Sequence, residues 1–531
     1  MRNILIGAMA LVLIAGLVGA PVYAGAYAEL SGKKSTAWFG IETPAKRMQR
    51  SAQFRMIYPV PDFPPLSLRL PASDDPYTDI TGQSVHDYLA RILEITEDTR
   101  PEGERFWGRI AGSASEVAVA EYVAGEFERF GLADVSTETV QGKNQWWPLD
   151  WQVTLLARNE YGRGSQDMVL NSAFPAIQLE KGALSVDKLE AELVFVGHGH
   201  PLDLIGRDIE GKIAVVHADL QIDPFFQTAR GFMDGVVEAG AAGVLIVIEA
   251  PGNHQYALEE MGPPEVPILI LGGDDGHFLE DVMAAGAKSR PITARIKFKT
   301  TVREPWQGKN VIGIVTGQTD EYLIVVAHLD GYFSAANDNG AGVASMIALA
   351  EHYARPDVER PQRNILFLGS SGHHEFSDGV EGFIANHQNI LDKTVLVFNV
   401  EHPSSVMSYL RGQLKFYNFT VPAELTTMTT DGPRSLTISN GNKNLLGFYR
   451  DAIDRYGLAI NSRVSPAPPT GDAFGFFKAG QAVVQILDAN LWYHSSGDTL
   501  DSIHANGLER ATRLYAEVLD RIDATATADL Q

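Results

Sequence analysis

The apolar positions of this chain change period along its length, and those changes divide it. Val85, Leu89 and Ile92 recur at i, i+4 and i+7, which predicts one face of a helix beginning near Gln83. Val119, Val123, Phe127 and Phe130 predict a second helix over 115–130, with Gly131 as its stop. From 164 to 300 short apolar runs alternate with Gly-rich turns. Runs at 193–196, 213–216, 244–247 and 266–270 read as strands, and a short helix follows near 277–285. From Asn310 the strands become near-continuously apolar, at 310–315, 322–327, 364–368, 394–399 and 482–487, with helices at 341–353 and 445–456 between them. Apolar runs without alternation are strands covered on both faces. The prediction is an α/β fold with a mostly parallel, mixed sheet and helices on both sides. In such folds ligands bind beyond the carboxyl ends of the strands.

The beginning of the chain has a different character. Arg2 is the single charged residue among 1–27, an apolar run covers 4–20, and Pro21-Val22-Tyr23-Ala24 follows. This pattern predicts a secretory signal over 1–24 and an exported protein, periplasmic or extracellular. An uncleaved membrane anchor is the competing reading, because the run nearly suffices to span a bilayer. No stable membrane insertion is expected after cleavage. Residues 25–79, rich in Pro, Ser and Arg, read as an extended arm.

Composition narrows the chemistry. With 43 basic and 66 acidic side chains the net charge is −23, which opposes nucleic-acid binding. The absence of cysteine removes disulfides, thiolate metal sites and a cysteine nucleophile. Any metal must be held by His, Asp and Glu.

Five segments offer such ligands just after a strand or in a turn: Ala327-His328-Leu329-Asp330-Gly331, Asn337-Asp338-Asn339-Gly340, Gly372-His373-His374-Glu375, Asn399-Val400-Glu401-His402 and Tyr493-His494-Ser495-Ser496-Gly497-Asp498. One alone reads as a cap. Five on one sheet edge read as a site, and imidazoles with carboxylates suit hydrolytic zinc. Other motifs fall away. Gly369-Ser370-Ser371-Gly372 lacks the spacing of a serine nucleophile elbow. His198 and His200 lack carboxylate neighbours in sequence and read as a solvated turn. Trp146, Trp147 and Trp151 read as core packing.

The HLD, NDNGAG and YHSSGDT segments, with Arg109 to Glu116, resemble the zinc aminopeptidase and glutamate-carboxypeptidase-like family of co-catalytic exopeptidases. The resemblance covers roughly residues 80 to 520. The GKIAVV, GAAGVLIV and VPILIL runs resemble a protease-associated domain. It implies a zinc-exopeptidase catalytic domain over 80–163 and 301–531, interrupted by a β-rich protease-associated domain over 164–300. It also implies a peptide substrate and two zinc ions per chain. His328 and Glu401 would bind the first metal, Asp338 would bridge, and His374 and His494 would bind the second. Asp330 would orient His328, and Tyr493 would donate to the oxyanion. Asp472 matches a position near the substrate pocket. The family has two adjacent glutamates where the ungapped register places His373 and His374, the first of them the general base. A one-residue slip would instead make His374 the base and Glu375 the ligand, and His373 or Glu375 is expected to take and return the proton. A one-metal cyclotransferase or a binding protein on the same scaffold are the alternatives. Arg411, Lys415, Arg434 and Lys443 are candidates for a substrate wall.

Overall fold

The computed structural model describes residues 38–41, 43–44, 75–158, 161–162, 165–179, 182–218, 227–250, 252–286, 290–411, 415–416, 419–420, 424–431, 434–458, 460–461, 468–488 and 492–531. The signal expected over 1–24 and most of the arm lie outside these residues. From the arm, Trp38 is buried, with its ring 5.4 Å from that of Tyr161 and 6.3 Å from that of Phe278. Among the described residues no helix is long and apolar enough to cross a membrane.

Helix α1 (Gly82–Asp98) starts at a capping box between Thr81 and Ser84. Helix α2 (Ala114–Phe130) is capped by Ser113 and ends where Gly131 adopts φ 79°. Val85, Leu89, Ile92, Val119, Val123 and Phe127 are buried in one core, as their spacing requires. Strand β1 (Ala133–Leu155) then leaves that core. An inserted unit follows, made of β2 (Ser185–Phe195), β3 (Ile213–Ala218), α3 (Gln227–Glu238), β4 (Gly243–Ile248), β5 (Ile268–Leu271) and α4 (Gly273–Gly286). Strand β6 (Thr293–Val315) returns antiparallel to β1. The carboxyl half contributes β7 (Tyr322–His328), α5 (Ala341–Ala354), β8 (Asn364–Ser370), β9 (Thr394–Val400), β10 (Arg434–Ile438), α6 (Lys443–Tyr456), β11 (Val483–Asp488) and α7 (Ala505–Asp523).

One sheet runs through both parts in the order β10-β11-β9-β7-β8-β6-β2-β3-β4-β5. Strands β11, β9, β7 and β8 are mutually parallel, and β6 and β10 flank them antiparallel. Leu323 to Ala327 on β7 are at most 1% exposed. Burying a side chain of the Leu or Val kind is worth about 1.5–3 kcal/mol, so a register slip here is strongly disfavoured. That register sets Ala327 beside Gly369 and His328 beside Ser370, and so fixes where the loops leave the sheet.

Two expectations need revision. The boundary at 300/301 falls inside β6, because β1 and β6 are long continuous strands that carry the inserted unit as a ribbon. The unit is itself α/β rather than β-rich. Its strands β2 to β5 are parallel, β4 is buried throughout, and strands buried on both faces need helices to cover them. Trp146, Trp147 and Trp151 lie in the core beneath this ribbon.

Candidate metal centre

The site forms where β7 and β9 end. His328 is the last residue of β7, and the Leu329 amide donates to the Ser370 carbonyl at 2.7 Å, keeping the ends of β7 and β8 together. Buried Arg109 donates to the carbonyls of Leu329, Ser334 and Ala335 at 2.8–2.9 Å, which ties down the loop between His328 and Asp338. Asp498 accepts from the Asn337 and Asp338 amides at 2.9–3.1 Å. Burial pushes the Asp498 carboxyl up to about 6, and the two amides offset part of that.

Asp338 is the centre of the cluster. Its Oδ1 lies 3.2 Å from His328 Nε2 and 3.0 Å from His402 Nε2. Its Oδ2 lies 2.9 Å from His494 Nε2 and 4.0 Å from His374 Nε2. Burial opposes charge on His328, yet Asp330 and Asp338 override it and hold the ring up at about 10. His402 is likewise raised to about 9 against its burial, by Asp338. His494 is lowered, because burial there outweighs Glu259 and Asp338.

The third segment forms a single tight turn, His373–Glu375, entered through Gly372 at φ 72°. Three residues per turn send successive side chains about 120° apart. His374 therefore faces Asp338, whereas His373 stacks on His328 with ring centroids 3.8 Å apart. His373 Nδ1 lies 3.1 Å from Asp472 Oδ1, and its Nε2 lies 3.9 Å from Glu401 Oε1. Burial and His328 push His373 down, but Asp472 outweighs both and carries it to about 9. Gly471 sits at φ 59°, and a Cβ there would lie 2.5 Å from His373 Cε1, so the turn before Asp472 needs glycine.

Glu375 is turned away from the cluster. Its Oε1 accepts from Gln145 Nε2 at 3.1 Å, and it joins none of the ligand groups, so the slipped register with Glu375 as ligand does not describe this turn. Asp330 lies beside His328 as expected and holds a second group as well. His328 Nδ1 faces the Asp330 backbone carbonyl at 3.1 Å, while the carboxylate is 3.6 Å away. That carboxylate accepts the His373 and His374 amides at 3.1 and 3.0 Å, so Asp330 clamps the histidine turn. Glu401 accepts from Asn399 Nδ2 at 2.7 Å and Gln485 Nε2 at 3.2 Å, both on Oε2. Tyr493 stacks on His494 at 3.7 Å, and burial, Asp338 and Glu259 together hold its phenol protonated. The side chains of Arg411, Lys415 and Arg434 lie outside the described residues, and Lys443 is exposed at the start of α6.

Two site residues escaped the sequence reading. His402 directly follows Glu401 in the Asn399-Val400-Glu401-His402 segment, so its signal is visible in the sequence. Glu259 comes from the inserted unit and has no sequence link to the other ligands. Its Oε1 lies 3.0 Å from His374 Nδ1 and accepts from Tyr332 Oη at 2.8 Å.

The donor set fits divalent metal ions. Three groups place ligand atoms within 4.8 Å of one another: His328, Glu401 and His402; His328, Asp338 and His374; and Glu259, His374 and His494. Nε2 of His328, His374 and His494 and Oδ1 of Asp338 are buried without an aligned hydrogen-bond partner. Buried polar atoms are almost always paired, so lone pairs converging in this way mark a cation site.

Residues 310–519 match the profile of Peptidase family M28. The chain is 24% identical over 450 residues to Leucine aminopeptidase 2 of Trichophyton rubrum, covering 80% of this chain and 81% of that protein. In fold it is similar to a Peptidase M28 precursor from Shewanella amazonensis, with TM-score 0.62 and 18% identity over 85% of this chain and 96% of that one. It is also similar to BSAP, a zinc aminopeptidase from Bacillus subtilis, with TM-score 0.58 and 17% identity over 85% and 98% of the two chains.

Proposed function

We propose, from the match of residues 310–519 to Peptidase family M28 and the geometry of the site, that this chain is a zinc-dependent exopeptidase of the aminopeptidase kind, exported, and built for two ions per chain. The observation that carries the reading is the Asp338 carboxylate, whose two oxygens face two separate pairs of histidine nitrogens. His328 and His402, with Glu401 beside them, would hold one ion. His374 and His494 would hold the other. Zinc there supplies Lewis acidity toward a carbonyl and an acidified water.

The chain's own residues do the rest. His373 has one ring nitrogen on Asp472 and the other facing the Glu401 side of the cluster, the arrangement of an oriented general base. A nearby divalent cation favours its neutral, proton-accepting form. The half-buried, protonated Tyr493 hydroxyl is a donor suited to an oxyanion.

The test combines zinc content, by mass spectrometry of the protein as purified, with hydrolysis of amino-acyl p-nitroanilides and of amino-terminally blocked peptides. About two zinc per chain and cleavage that requires a free amino terminus are expected. One zinc with no hydrolysis would move the protein to the cyclotransferase or binding alternative.

A further inference from the structure

The half-site made by His374 and His494 is short of negative charge. Two imidazoles and a carboxylate shared with the other half-site face one divalent cation there, whereas the first half-site has Glu401 in addition. Imidazole has a further requirement: a ring can present Nε2 to a metal only if its proton sits on Nδ1, and a partner on Nδ1 decides that. For His374 this partner comes from the inserted unit, where Glu259 Oε1 lies 3.0 Å from Nδ1.

Glu259 is firmly held. Its carboxylate accepts from Tyr332 Oη at 2.8 Å and lies 3.9 Å from Arg230 Nη2. The Ile177 amide donates to the Leu258 carbonyl and the Glu260 amide to the Ile177 carbonyl, both at 2.8 Å, fixing the backbone on either side. The same segment grips the His494 loop. The Ala257 amide donates to the His494 carbonyl at 2.8 Å, and the Ser496 amide to the Gln255 carbonyl at 2.9 Å. The side chain is only 14% exposed.

We propose that Glu259 is the positioning residue of the second half-site: it holds His374 with Nδ1 protonated and Nε2 turned to the cation, and it supplies the missing negative charge. Zinc retention in the catalytic half therefore depends on docking of the inserted unit. The inference rests on the two-ion reading above.

The test is zinc titration of the full chain against a competing chelator, with stoichiometry by mass spectrometry, for wild type, Glu259→Gln and Glu259→Ala. Thermal unfolding of the zinc-free chains checks that each variant folds. Glu259→Ala is expected to weaken the second equivalent by about 10–100-fold while leaving the first unchanged, the usual cost of losing a ligand's outer partner. Glu259→Gln keeps an acceptor for the His374 Nδ1 proton but loses the charge, so an intermediate loss is expected. Equal losses in the two variants overturn the positioning role in favour of direct ligation. Two equivalents bound as in wild type by both variants overturn the inference and leave the proposed function standing. A wild type that binds no zinc overturns both.

Discussion

Among the described residues, one cluster of histidine and carboxylate at the carboxyl edge of β7 and β9 can be set beside another in the inserted unit. In the second, His217 Nδ1 lies 2.9 Å from Glu280 Oε1, and Nε2 pairs with Glu249. Burial lowers His217, but the two glutamates outweigh it and raise the ring to about 10. Each nitrogen donates a proton to its own acceptor, so the cluster is closed as an ion pair. Around Asp338 four rings share one carboxylate, and buried nitrogens of His328, His374 and His494 have no aligned partner. The residue types are the same. What separates them is alignment: His217 has its own carboxylate on each nitrogen, whereas around Asp338 buried ring nitrogens converge on shared oxygens without an aligned partner, an arrangement that suits a cation.

The contrast can be broken at Asp338 first. Asp338→Asn should strip zinc from both half-sites and lower kcat/KM by more than the roughly 10–100-fold that follows loss of an outer partner. Metal content and turnover, measured on the same preparation, check this. Retention of both ions would show that the histidines do not need the shared carboxylate.

His373 sharpens the contrast, because it has features of each cluster. One nitrogen is anchored on Asp472 and the other faces the site. His373→Ala should lower kcat by about 10²–10⁴-fold with zinc content intact, the range for a lost general base. A fall in zinc content would instead make His373 a ligand. Asp472→Asn should give a smaller kcat loss and shift the acid limb of the pH–rate profile.

The smallest effect belongs to the closed cluster. His217→Gln should leave kcat and zinc unchanged and cost about 1.5–3 kcal/mol, as for hydrogen bonds to charged groups. The folded pKa of His217 lies above its unfolded value, so its contribution is fully present below about pH 6.5 and fades as pH rises through about 10. Urea midpoints of wild type and variant should therefore converge between those limits. The exposed His198, whose Nδ1 lies 2.9 Å from the His217 carbonyl, should tolerate alanine within about 0.5 kcal/mol.

Much of this was legible in the chain. Short apolar runs without alternation, bounded by turn residues, read as strands covered on both faces, so β7, β8, β9 and β11 and the helices over them followed from residue order. Because ligands gather where such strands end, His328, Asp338, His374, Glu401 and His494 were within reach of the sequence, and the structure brings them together. Local turn geometry was less accessible. The fan of His373, His374 and Glu375 depends on Gly372 entering the left-handed region, and only then does Glu375 turn toward Gln145. Asp330 was recognised as a partner, but the groups it clamps are backbone amides, which leave no trace in side-chain spacing.

What only the tertiary structure decided is the company each ionisable group keeps. Glu259 reaches His374 across 115 positions of sequence because the inserted unit docks on the His494 loop. Periodicity reports which face of an element is buried, a local property that the chain writes residue by residue. Contact between separate elements is set by how sheets, ribbon and loops close on one another, and no spacing along the sequence encodes that distance.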